Sequence, residues 1–205
     1  AALWLPAEGI HRSNAPQSPV ISDSYALAGR DGQTADFMAL AENPNSDWYV
    51  EIEYVFRWAG GQTLPASAWV PPQGKAVLAK GGITVNGWPE SAEVLAVPRQ
   101  WQRLKDKEFL ARLADFKEKV VVSQTEIFQE GGVTTARYAV RNDSIYDLLA
   151  PRFAVVLLQA QTPVAVGTNE SVLLAAGESE TQELRWLQPL PAYLQVEVYP
   201  QIDFL

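Results

Sequence analysis

Between residues 48 and 58 the chain alternates more regularly than anywhere else: Val50, Ile52, Tyr54, Phe56 and Trp58 are separated by Glu51, Glu53, Val55 and Arg57. Successive side chains of a strand point to opposite faces, so this period of two predicts a half-buried antiparallel strand, packed on one face and wet on the other. The run Phe153-Ala154-Val155-Val156-Leu157-Leu158 is apolar at both parities. It predicts either a central strand or one whose outer face is covered by a neighbouring unit. One stretch has a helical period instead. From Asp106, a residue type suited to the N-cap, to about Lys117, the apolar residues Phe109, Leu110, Leu113 and Phe116 fall on one side of a helix. Such a helix of about three turns is marginal alone, so its aromatic side is expected to pack on the strands around it.

The same order of signals occurs twice, at a spacing of about 99 residues. Val20–Leu27 matches Val120–Ile127 as an opening strand, and Arg30-Asp31-Gly32-Gln33 matches Glu130-Gly131-Gly132-Val133 as a hairpin turn. Leu40–Ser46 matches Ala139–Ser144, each a strand closed by an asparagine, Asn43 or Asn142, that can bond its own backbone two residues on. Pro72-Gln73-Gly74-Lys75 then falls where Ala176-Gly177-Glu178-Ser179 falls, ahead of a new strand. Charge divides the chain at the same places. Residues 1–98 carry five Lys/Arg and ten Asp/Glu, residues 119–205 carry the same numbers, and residues 99–118 carry six against four. The expected organisation is an extended arm at 1–18, containing Pro6 and Pro16, a first β-sandwich at 19–98, a connector with a short helix at 99–118, and a second β-sandwich at 119–205. The fold class is therefore all-β, two tandem sandwiches joined by a short α-helix.

The residues Asn43-Pro44-Asn45-Ser46 with the aromatic strand after them resemble small immunoglobulin-like β-sandwich domains of bacterial and archaeal surface proteins. In the second half, Asn142-Asp143-Ser144, Phe153-x-Val155-x-Leu157 and Ala176-Gly177-Glu178-Ser179 are similar to the FxLyD type of sandwich. The resemblance covers about half of the chain. It implies an exported, membrane-anchored protein at a cell surface, with no catalytic residues to carry over. The crowded tryptophans of the first half and the helix between the halves depart from that pattern.

Bulk properties narrow the function. With 205 residues, 47% hydrophobic and 20% charged, the chain has globular composition. A net charge of -8 argues against nucleic acid, because affinity for phosphate backbones comes from Lys and Arg displacing counterions. No run of 18 apolar residues spans a bilayer, so contact with a membrane is expected only through a segment absent from this chain. The opening Ala1-Ala2-Leu3-Trp4-Leu5-Pro6 reads either as the outer flank of a removed apolar segment or as an ordinary strand end. Zero cysteines excludes disulfides, thiolate catalysis and cysteine-based zinc sites; it is compatible with the expected extracytoplasmic place, cell surface or periplasm, without fixing the compartment.

Candidate chemistry is sparse. A Ser-His-Asp arrangement would need His11, the single histidine, which lies in the proline-bearing arm. Glu51 and Glu53 share a strand face about 6 to 7 Å apart, a spacing found in glycosidases but equally in any wet sheet face. Asp143 with Asp147 is an acidic loop too sparse for a dedicated calcium site. Gly81-Gly82, with Gly87, lacks the lysine of a phosphate loop and reads as a hairpin corner. Asn142-Asp143-Ser144 and Asn169-Glu170-Ser171 fit the glycosylation rule. No cofactor, no metal and no enzymatic activity are expected.

The tryptophans carry the functional hint. Trp58 extends the packed face of its strand, whereas Trp48, Trp69 and Trp88 sit beside turns or prolines and are the candidate binding residues. Two readings follow. One is an extracytoplasmic structural or adaptor module that contacts a protein partner in a cell-envelope assembly. The alternative is a carbohydrate-binding module that stacks sugars on turn-borne tryptophans.

Overall fold

The alternating segment forms the central strand of a sheet, and the sheet's packed face meets a second one. The computed structural model describes residues 15–31 and 33–201. In the N-terminal half, β1 (Val20–Ile21), β2 (Tyr25–Ala28), β3 (Ala35–Glu42) and β7 (Lys75–Ile83) make one sheet, with β3 between β7 and the β1/β2 edge. β4 (Trp48–Trp58) is the centre of the other, flanked by β8 (Glu93–Arg103) on one side and by β5 (Gly61–Gln62) and β6 (Ala66–Val70) on the other. All pairings are antiparallel. Phe37, Ala39 and Ala41 of β3 pack against Val50, Ile52 and Phe56 of β4 in one buried core. Glu51, Glu53 and Val55 stay half exposed on the other face, as the alternation predicts.

The C-terminal half repeats this circuit. β9 (Val120–Glu130), β10 (Val133–Asn142) and β15 (Ser179–Trp186) form one sheet, and β12 (Arg152–Gln159), β13 (Thr162–Glu170) and β16 (Gln195–Gln201) form another. A two-stranded ribbon, β11 (Leu148–Leu149) with β14 (Leu173–Leu174), lies beside them. Tyr138 and Val140 of β10 meet Phe153, Val155 and Leu157 of β12, with Leu184 and Trp186 of β15 completing the core. The chain is all-β, with α1 (Lys107–Lys119) the one helix among the described residues.

Two asparagines close the same corner in each half. Asn43 and Asn142 are fully buried at the ends of β3 and β10. Asn43 Nδ2 donates to Trp48 O at 2.6 Å and Val70 O at 3.1 Å, and Asn142 Nδ2 donates to Tyr146 O at 2.8 Å and Leu174 O at 3.0 Å. Their Oδ1 atoms accept from the backbone N–H two residues on, Asn45 and Ser144, at 3.1 Å in both cases. Their own N–H groups donate to Gly74 O and Glu178 O, each at 2.9 Å. The amide thus ties the end of one sheet to strands that follow on the other, while the turn between them folds over it. Gln73 and Gly177 precede those two carbonyls, and both have positive φ, 48° and 76°. The first half therefore holds a side chain in the left-handed region where the second half has glycine.

The expected opening strand at Val20–Leu27 is divided. Ser22 Oγ accepts Leu40 N at 2.8 Å, replacing a ladder bond, and Ser24 Oγ donates to Ala92 O, so the chain leaves the β3 edge between β1 and β2. The boundary expected at residue 99 also moves, because β8 continues pairing with β4 as far as Arg103 opposite Trp48. Of the arm, Gln17 is tied to Asn45 by two hydrogen bonds of 2.7 and 2.8 Å, while residues 1–14 lie outside the described residues.

A third apolar cluster explains why β12 is apolar at both parities. It is a central strand, and its outer face is also covered. Ala154, Val156 and Leu158 of β12 with Val166 of β13 pack on Leu27, Met38 and Val77 from the outer face of the β3 sheet. Polar contacts border this seam: Leu187 N donates to Arg30 O at 2.7 Å, Gln188 Nε2 to Ala28 O at 2.9 Å and Gln201 Nε2 to Val77 O at 2.8 Å. The helix braces the same junction. Leu113 packs with Tyr49 and Leu104 of the first half, and Phe116 packs on the C-terminal core and on Tyr146, ring centroids 5.6 Å apart. Lys117 Nζ donates to Pro72 O, and the side chain of Phe109 lies outside the described residues.

Asn142→Asp puts a carboxylate oxygen against two buried carbonyls and is expected to lower the unfolding free energy by about 3 kcal/mol or more, read from urea unfolding. A loss below about 1 kcal/mol would show that water replaces the amide at that corner. At the left-handed positions the signs oppose: Gln73→Gly is expected to stabilise by up to about 1 kcal/mol and Gly177→Ala to destabilise by a similar amount. Calorimetric melting of both variants checks the pair.

Candidate functional site

The three candidate tryptophans are not brought onto one surface. Trp69, on the outer face of its sheet, is half-buried against Tyr49 at 5.4 Å, in the cluster under the helix. Trp48 is half-buried edge-on to Trp101 at 6.4 Å, with the Arg103 guanidinium 5.7 Å from its ring centre. Trp88, in the loop between β7 and β8, is 55% exposed. Trp48 opens β4, whereas the loop of Trp88 feeds β8 where Glu93 pairs with Arg57 near the other end of β4. Ten residues of strand separate those ends by about 33 Å.

The other sequence candidates resolve into structural contacts. Glu53 forms an exposed ion pair with Arg99, and Glu51 lies on the same face. Asp143 pairs with Arg141 at 2.6 Å, and Asp147 Oδ1 accepts Ala176 N at 2.9 Å. Among the described residues no group of three His, Asp or Glu side chains is placed to hold a metal ion. Asn142 has its amide committed inside the fold and is closed to glycosylation; Asn169 Nδ2 donates to Glu183 O at an exposed position. His11 lies outside the described residues. Gly81-Gly82 is not a hairpin corner but the end of β7, at a register shift opposite Asp36.

That shift forms the most distinctive polar feature of the molecule. Asp36 is 3% exposed and sits on the outer face of β3, in line with Met38 and Leu40 of the seam. Its Oδ1 accepts Gly82 N at 2.7 Å, and a Cβ at Gly81 would lie 3.1 Å from the same oxygen, so the paired glycines let the β7 backbone close over the carboxylate. Asp36 lines a cleft of about 490 Å³ between the two halves, together with Arg30, Thr34, Thr168 and Arg185. Arg30 Nε donates to Arg185 O at 3.0 Å, and Arg185 is paired with Glu183 at 3.1 Å. Burial raises the Asp36 carboxyl above its ordinary value, the Gly82 N–H and the Arg30 charge offset this only in part, and the nearby Asp31 charge adds to the rise.

Sequence reasoning passed over Asp36. The available signal was its parity: in Ala35–Glu42 the positions facing away from the core are Asp36, Met38, Leu40 and Glu42, so an acid stands at each end of an apolar pair, Glu42 exposed and Asp36 buried. An unaccompanied carboxylate on a stripe that must be covered is costly unless something pairs with it.

No protein-family model matches the sequence, and no curated protein matches it. Among solved structures it is similar to red sea bream transglutaminase, with 10% identity over 96% of this chain and a TM-score of 0.33. The chain spans 30% of that protein's length, and a likeness at this score carries no argument about activity.

Because the folded state holds the Asp36 proton more tightly than the unfolded state, stability falls as pH rises through the folded pKa, and the penalty is absent below the unfolded value of about 4. Asp36→Asn keeps an oxygen for Gly82 N–H and removes the charge. It is expected to raise the melting temperature at neutral pH, with the gain vanishing toward about pH 4. An equal gain at both pH values would show that charge burial is not its source.

Proposed function

We propose that the chain is a non-catalytic, extracytoplasmic structural or adaptor module, carried by a membrane-anchored protein, that contacts a protein partner in a cell-envelope assembly. The carrying observation is an apolar patch on the turns of the C-terminal half. Ile145, Leu149 and Val172 are 80%, 78% and 91% exposed. Leu149 pairs directly with Leu173, and Ala150 N donates to Val172 O at 3.0 Å, so Leu149, Val172 and Leu173 adjoin on one ribbon, with Ile145 in the turn that leads into it. Large aliphatic residues gathered on turns are disfavoured in water and mark contact surfaces. The seam and the helical brace hold that patch on a stiff body, which limits the ordering cost of docking. The resemblance of residues 142–179 to surface-protein sandwiches supports the compartment.

A photo-crosslinking amino acid placed at Leu149, in the intact protein in its native envelope, tests this reading. The expected result is one discrete adduct that Val172→Asp reduces about ten-fold or more without lowering the melting temperature. Absence of any adduct, or a hydrolytic activity of the purified chain that Glu51→Gln removes, would overturn it. The sugar reading keeps one specific support, the open ring of Trp88. A glycan screen by tryptophan fluorescence separates the two, since a signal that Trp88→Ala abolishes belongs to the sugar reading.

A further inference from the structure

Arg30, Arg185, Asp31 and Asp36 all line the cleft between the halves; Asp31 Oδ1 is taken by Gln33 N, Thr34 N and Thr34 Oγ1, while Arg30 and Asp36 are opposite charges that do not meet. Asp36 Oδ1 takes the Gly82 N–H, and no described residue donates to Oδ2. Arg30 uses Nε on Arg185 O, and its terminal nitrogens make no ion pair or hydrogen bond with a described residue. The Arg30 charge acts on Asp36 through space, yet the two form no salt bridge, although both line the same space of about 490 Å³. That volume is within the range of small-molecule sites. Its neighbours Ala79, Val166 and Leu187 give it an apolar wall, while Arg185 shares the single carboxylate of Glu183 with Arg137.

A ligand with a single charge would satisfy one of these groups and be repelled by the other. A molecule carrying both signs would satisfy both. We propose that the cleft binds a small zwitterion of amino-acid or dipeptide size, its ammonium group on Asp36 Oδ2, its carboxylate on the Arg30 guanidinium and its side chain against Val166 and Leu187. A largely buried carboxylate held by one backbone N–H is prepared for a cation, because the charge-assisted bond replaces hydration that the seam has in part removed. The guanidinium fork matches a carboxylate in two parallel bonds. Gly81 and Gly82 belong to the site: a Cβ at Gly81 would crowd Asp36 Oδ1 at 3.1 Å, and Gly82 takes the left-handed backbone, φ 69°, while its N–H meets that oxygen. The proposal concerns a different surface from the turns of the protein-docking reading, so either stands without the other.

Isothermal titration calorimetry on the intact chain with glycine, leucine and dialanine tests it, with N-acetylleucine and leucinamide as probes that each lack one charge. Saturable binding of at least one zwitterion is expected, leucine above glycine, with each blocked analogue weaker by about ten-fold or more. Asp36→Asn and Arg30→Gln should each weaken binding by a similar factor, while Arg30→Lys, which keeps the cation, should cost less. The proposal is overturned if no zwitterion binds at up to about 10 mM, or if N-acetylleucine or leucinamide binds as well as leucine. Unchanged binding to Asp36→Asn would overturn it too. The analogue series uses the unaltered protein, so a variant that fails to fold leaves the test intact.

Discussion

Where a chain leaves one sheet of a sandwich and enters the other, the backbone groups at the corner lose their ladder partners, and they do so out of reach of water. An asparagine amide meets that need, since it offers two donors and an acceptor on a short side chain. In this protein Asn43 and Asn142 each give Nδ2 to a carbonyl at the start of the returning chain and to another on a later strand, and each takes the N–H two residues on at Oδ1. Each unpaired buried polar group would otherwise cost about 1–3 kcal/mol. The central strands β3 and β4, and likewise β10 and β12, are positioned by this corner, and the two cores form between them.

With each corner fixed, one outer sheet face of either half is left apolar, and the two cover one another in the seam. The helix then fills the angle beside it, Leu113 reaching the first half and Phe116 the second. Asp36 is the polar exception on this buried surface, accommodated by a register shift and two glycines rather than by an opposite charge.

The outer strands show how such a body avoids uncontrolled pairing. Pro98 in β8, Pro163 in β13 and Pro200 in β16 each lie on a strand with a single neighbour and remove a backbone donor. On β9, Gln124 has φ 51° where the register against β10 shifts between Arg137 and Ala139. These four edges are therefore poor templates for an added strand, whereas β6, β7 and β15, each also with a single paired neighbour, carry no proline.

Much of this was legible in the residues alone. The alternation of Val50 to Trp58 gave the central strand and its buried face, and the paired asparagines marked equivalent corners. Asp106 to Lys117 located the helix within two residues. These signals are local: a period of two or of 3.6 reports that one side of an element is buried, and a turn residue reports its own backbone. The partner that covers a face is not local. That Val156 meets the Leu27 and Met38 cluster, that Trp69 supports a helix, and that Asp36 shares a cleft with Thr168 and Arg185 of the other half were decided by the tertiary structure. These contacts join segments that share no pattern in the sequence, and only the packing of one sheet on another brings them together.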